Sequence, residues 1–248
     1  MSTSKLTLLI ALFDFHSARA ATTSISFWAY DQYAQNSPYY DHYTVTNADG
    51  TDTITRIDLN DRGWGFSSTG TSSYHVSAYV EEVGTTPRPL RTVGWHEYEF
   101  AFNDFTKITS ISMDGNIIDS GSYTNTPAVF NFGLHDYYGG AQKTVIDDFE
   151  VKIDGSSVYK QNFDGFTLDA GWSVTHLDVG TYTASGDTST VHSGSGSLVL
   201  GATTGGNLDA LVAFDLTSVP ESSTIILGLI ALGGMTLRRN RPKQIINR

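Results

Sequence analysis

Between Arg91 and Gly121 the chain carries a pattern that leaves few folds open. From Trp95 to Phe102, His96, Tyr98, Phe100 and Phe102 fall on one face and Glu97 and Glu99 on the other, because strand side chains alternate with a period of two. Lys107 to Met113 alternates again. Asp114-Gly115 is then a tight-turn pair that sends the chain back through Asn116 to Asp119. The spacing predicts an antiparallel meander with one dry face and one wet face.

The rest of the middle reads the same way. Thr22 to Thr217 spans about 200 residues, a length one all-β sandwich can occupy. It is rich in Gly, Ser, Thr, Tyr and Asp and has no long run at helical spacing. Strands are expected near Ser24–Tyr30, Tyr43–Thr46, Asp52–Leu59, Trp64–Phe66, Tyr74–Val80, Trp95–Phe102, Lys107–Met113, Asn116–Asp119, Ala128–Leu134, Lys143–Ile153, Ser157–Phe163, Trp172–Val174, Thr181–Ala184, Ser197–Leu200 and Leu211–Leu216. Pro87 and Pro89 mark a surface loop, since proline cannot donate to a ladder. The fold class is all-β, an antiparallel β-sandwich.

Both ends carry address signals. Met1 to Ala20 has Lys5, an apolar run from Leu6 to Phe13 and the small-x-small pattern Ala18-Arg19-Ala20, which is the layout of a secretory signal peptide cleaved after Ala20. At the other end, Val219-Pro220-Glu221 precedes the uncharged apolar stretch Ile225 to Leu237, and then Arg238, Arg239, Arg241 and Lys243. This order resembles the PEP-CTERM sorting tail (219–248 here) of exported bacterial proteins, although Ser222 stands where that family usually has a second proline. The resemblance implies processing at Val219, Pro220 and Glu221 by an exosortase. A short C-terminal hydrophobic helix would anchor the chain transiently in the inner membrane, with the basic cluster on the cytoplasmic side. About a dozen residues fall short of the ~20 of a stable span, which suits a temporary anchor.

The central block resembles concanavalin A-like and laminin-G-like sandwiches. It matches in Gly94-Trp95-His96, in the hairpin Met113-Asp114-Gly115 and in the closing strand Asp147-Asp148-Phe149-Glu150-Val151. A later set, Asn162-Phe163-Asp164-Gly165-Phe166, Gly171-Trp172-Ser173 and His192-Ser193-Gly194-Ser195-Gly196-Ser197-Leu198, resembles the block that opens many jelly-roll carbohydrate-binding modules. Two readings stand: a second, truncated module, or late strands (159–216) that complete the sandwich (21–218) as in a circular permutation. The latter is preferred because about 55 residues are too few for an independent sandwich core. The resemblance also implies a structural Ca2+ joining Asp164 to Asp147 or Asp148, with carbonyls of the Ser193-Gly194 turn completing the shell. Strand alternation would put Asp147 and Asp148 on opposite faces.

Charge narrows the partners. The formal net charge is −11; the signal nets +1 and the tail from Glu221 nets +4, so the domain between them carries −16. Such a surface repels nucleic acid and anionic lipid and suits calcium or neutral polymers. There is no cysteine, so neither disulfides nor thiolate chemistry contribute.

Catalytic patterns are weak. Glu97 and Glu99 project from one strand face as the paired acids of laminarinase-type glucanases do, but that E-x-D-x-x-E pattern fails at Glu99 and Phe102. His96 has no Ser or Cys elbow beside it, and His75, His135, His176 and His192 lack zinc-ligand spacing. Aromatics are the better binding candidates: Tyr39, Tyr40 and Tyr43 in a polar stretch with Asp41 and His42, and Tyr137 and Tyr138 beside Gly139-Gly140. Exposed rings there would stack on sugars. The expectation is a non-catalytic, exported cell-surface or matrix protein that binds exopolysaccharide weakly, with a divergent glucanase-like enzyme as the alternative.

Overall fold

The structure, a computed structural model, describes residues 22–32, 40–61, 75–80, 89–135, 142–165, 167–176, 182–202 and 209–219. The described residues form fourteen strands, and their only helical turn is a 3-10 turn at Leu216–Ser218. Five strands from the earlier part of the chain lie in the first sheet (sheet A): β1 (Thr22–Asp31), β5 (Gly94–Asn103), β6 (Ile108–Met113), β7 (Asn116–Ser122) and β9 (Gln142–Ile153). The late strands β10 (Ser156–Gln161), β12 (Tyr182–Asp187) and β13 (Ser197–Ala202) complete it in the order β12-β13-β9-β1-β5-β6-β7, with β10 also on β9. The second sheet (sheet B) is β11 (Trp172–His176), β14 (Asp209–Asp215), β8 (Val129–His135), β2 (Tyr40–Thr46), β3 (Thr53–Asp61) and β4 (His75–Val80), in that order. All pairings are antiparallel.

The two sheets share one core. Phe27 of β1 meets Tyr43 of β2 at 4.8 Å between ring centroids, and Phe149 of β9 meets Phe130 of β8 at 5.2 Å and Phe214 of β14 at 5.1 Å. The late strands supply Leu198, Leu200, Val212 and Phe214 to the same cluster as Ile25 and Phe100. Strands from both ends of the domain therefore belong to the same two sheets, with β9 between β1 and β13 in one and β8 between β2 and β14 in the other. Each fully buried phenylalanine contributes roughly 1.5–3 kcal/mol of apolar transfer, which is where a cysteine-free chain finds its stability.

Turn chemistry fixes the registers. Asp114-Gly115 joins β6 to β7 with both φ positive (50° and 75°), and Asp154-Gly155 joins β9 to β10 in the same way (49° and 76°). Both are two-residue turns of the type that matches strand twist. The expected strand Trp64–Phe66 and the C-terminal helix at 225–237 lie outside the described residues. Among the described residues no helix is long and apolar enough to cross a membrane.

Candidate functional site

The site is built from an irregularity in β9. Ser26 of β1 pairs with Glu150 and Trp28 with Asp147, so β9 carries one extra residue against β1, and Asp148 takes it up with φ 49°. Such a bulge bends a strand and re-aims its side chains. Here it falls where β9 changes neighbour, from β13 beside residues 142–146 to β10 beside residues 149–153. The turn 192–196, just before β13, is tied to the bulge.

Three aspartates hold that turn. Asp147, fully buried, accepts the amides of His192 (3.0 Å) and Ser193 (3.1 Å) on Oδ2, and that of Asp148 (2.8 Å) on Oδ1. Asp148 bonds to His192 Nδ1 at 2.8 Å and accepts Ser193 Oγ at 2.8 Å. Asp164, which follows β10, accepts the amides of Ser195 (2.5 Å) and Gly196 (3.1 Å) and is bonded by Asn162 Nδ2 (2.6 Å). The Ser195 amide heads the contacts that hold the Asp164 carboxyl below its ordinary range, while burial raises Asp147 against the pull of its amides. Gly194, at φ 68°, has no room for a side chain, because a Cβ there would run into the Asp164 carboxylate.

These are the acids assigned above to calcium, and the structure does bring them to the Ser193-Gly194 turn. Two details differ from the expectation. Asp147 and Asp148 both reach the turn, because the bulge interrupts the alternation that was to separate them. The turn also meets them with amide hydrogens, where a calcium shell needs carbonyl oxygens. Among the described residues no three acids or histidines stand close enough to hold a metal ion by themselves, and the carboxylates at this turn are taken up by its amides. Chelator is therefore expected to leave the melting temperature unchanged; a calcium-dependent rise would show that the acids serve an ion as well as the turn.

The clamped turn delivers His192 to the outer face of sheet A. Its ring stacks on Trp28 at 3.8 Å between centroids and 13° between planes, and meets the edge of Trp95 at 5.5 Å. Tyr30 meets Trp95 edge-on at 5.4 Å. The register explains the grouping. Ile25, Phe27 and Ala29 of β1 face the core, so Trp28 and Tyr30 face out, opposite Glu97 and Trp95 of β5. Two residues further along β5, Glu99 lies opposite Ser26 of β1 and Ser112 of β6. The outer face is thus an aromatic platform running into a floor of small hydroxyl side chains crossed by two carboxylates.

The tyrosines singled out from sequence fare differently. Tyr43 lies within β2 at 0% exposure, stacked on Phe132 at 5.7 Å, because β2 begins at Tyr40 and so starts earlier than expected; its ring belongs to the core and offers no face to a ligand. Tyr40 opens β2 opposite His135. Tyr39, Tyr137 and Tyr138 lie outside the described residues, as do Ala20, Pro220 and Glu221. Val219 is buried at the edge of the core. His96 bonds to Asp114 at 2.8 Å and to Thr92 at 3.0 Å, tying the β6–β7 hairpin to the segment before β5. The platform residues Trp28, Tyr30 and Trp95 were missed, although two large aromatics alternating with Phe27 and Ala29 are the wet-face counterpart of the Glu97/Glu99 pattern.

One end of the core holds a buried polar cluster. Arg91, 1% exposed, clasps Asp31 at the end of β1 through Nε and Nη2, each at 2.7 Å, and donates Nη1 to the Leu59 carbonyl of β3 at 2.8 Å, linking the sheets. Beside it Asp41 Oδ1 and the hydroxyls of Tyr43 and Tyr98 are buried with no hydrogen-bond partner among the described residues. Burial pushes the Asp41 carboxyl up to about 7, with Arg91 pulling down and Asp31 pushing up.

No family model matches the chain, and no curated protein does. The fold and the platform therefore stand on their own geometry.

Proposed function

We propose that this is a non-catalytic, exported surface or matrix protein whose sandwich, read as a jelly roll of the concanavalin A-like kind, binds polysaccharide on the outer face of sheet A. The observation that carries this is the Trp28, Tyr30, Trp95 and His192 platform, held by a turn that three aspartates clamp. Aromatic rings on a rigid strand face offer sugars a large apolar contact at little conformational cost, and the neighbouring carboxylates and serines can accept from their hydroxyls. Export, exosortase processing and transient anchoring are supported by the two terminal segments of the sequence.

Affinity electrophoresis against a panel of polysaccharides tests the platform. Trp28→Ala, and separately His192→Ala, which lies in the turn before β13 and is part of no strand, are expected to weaken retention by about tenfold while leaving the melting transition cooperative. Unchanged retention in both variants would remove the platform as the site. Glu97 and Glu99 on the same face are the observation behind a second reading, a glycan-cleaving enzyme. Release of reducing ends that is lost in Glu97→Gln or Glu99→Gln would establish it.

A further inference from the structure

The charged groups around the platform are not equally engaged. On the neighbouring strand Glu150 is paired with Lys152 at 3.2 Å, and Asp148 is committed to His192 and Ser193. Glu97 and Glu99 differ: neither carboxylate has an ion pair or a hydrogen bond among the described residues. They stand about 7 Å apart along one face of β5 by strand geometry. Glu97 is directly opposite Trp28, and Glu99 sits between Ser26 and Ser112, which are too short to shield it. Two uncompensated carboxylates and the negative faces of indole rings create a local potential that attracts cations and repels uronates, sulfates and phosphates.

A neutral sugar would draw only hydrogen-bond acceptance from these carboxylates. A sugar bearing a primary ammonium group matches the whole arrangement, its three N–H donors to the carboxylates and its apolar ring face to the indoles. We propose that the outer face of sheet A selects polysaccharides carrying primary ammonium groups, of the glucosamine type, with Glu97 and Glu99 receiving the ammonium beside Trp28 and Trp95. This rests on the platform reading above and adds the charge of the ligand to it.

The test compares two soluble oligosaccharides of equal length, one of glucosamine units and one of N-acetylglucosamine units, by titration calorimetry on the full chain in mildly acidic buffer. The ring face is the same in both, and each ammonium of the first is replaced by an uncharged acetamido group in the second. The glucosamine oligomer is expected to bind at least about tenfold more tightly. The double variant Glu97→Gln, Glu99→Gln should abolish that preference, Trp28→Ala should weaken both ligands, and Asp49→Asn on the β2–β3 loop should change neither. Equal binding of the two oligomers would overturn ammonium selection while leaving the platform standing. Binding of neither would overturn both. A glucosamine preference that survives the Glu97/Glu99 double variant, or that falls as much in Asp49→Asn, would assign the attraction to the acidic surface at large and overturn the proposal. Capture of a polylysine peptide with no response to either oligomer would do the same in favour of a basic protein segment.

Discussion

Replacing Arg91 with methionine is expected to destabilise the domain by about 3–5 kcal/mol, the range found when one partner of a buried ion pair is removed. The guanidinium is 1% exposed and makes a two-pronged bond to Asp31, itself 2% exposed, so the variant takes the cation away from a buried carboxylate. It also takes the Nη1 donor from the Leu59 carbonyl, and with it the polar link between the ends of β1 and β3 in opposite sheets. The matching double variant, Arg91→Met with Asp31→Leu, should recover much of the loss, because no charge is then left behind. Urea unfolding of the parent, the single and the double variants measures this. A single variant within about 0.5 kcal/mol of the parent, the size of an ordinary surface change, would mean that the pair is not buried in solution.

The second large effect is pH-dependent and belongs to Asp41. Its carboxyl has an ordinary value of 3.8 and is pushed up to about 7 in the fold, mainly by burial. The folded state therefore binds the proton more tightly than the unfolded chain does. The sign follows from linkage: this group's contribution is fully present below the unfolded value and is lost as pH rises through the folded one. Between those limits the parent should lose stability, by an amount on the order of 4 kcal/mol. Asparagine has the shape of the protonated acid and cannot ionise. Asp41→Asn is thus expected to match the parent in acid, to exceed it at and above neutral pH, and to flatten the profile in between. Charged neighbours remain in both proteins: Arg91 and Asp31 face the group and are unchanged. Parallel profiles for the two proteins across that window would refute a buried, neutral Asp41.

Much of the architecture was legible because it depends on local patterns. Tyr98, Phe100 and Phe102 against Glu97 and Glu99 put β5 in the right place with the right face inward, and Asp114-Gly115 set the hairpin, since period-two alternation and positive φ are properties of a few adjacent residues. The start of β2 was placed late because Tyr40, Asp41 and His42 read as a polar loop. Asp41 and His42 are buried in the strand nonetheless, and in the case of Asp41 a charge-bearing cluster from β1 and the segment before β5 accounts for it.

By itself the sequence determined most of the strands now described, the dry and wet faces of β5 and the acidic charge of the middle of the chain, all of which follow from neighbours in the chain. That Asp147, Asp148 and Asp164 would meet the 192–196 turn was visible only through a resemblance, and what they do there was not. Only the tertiary structure decided that they accept the turn's amides, that a one-residue bulge sends both members of the Asp147-Asp148 pair to it, and that His192 lands on Trp28, some 160 residues earlier in the chain. The physical reason is register. Which residues become neighbours across β1, β5 and β9 depends on where each strand begins and where one gains an extra residue, and those offsets are settled by packing the two sheets on one core rather than by any stretch of sequence alone.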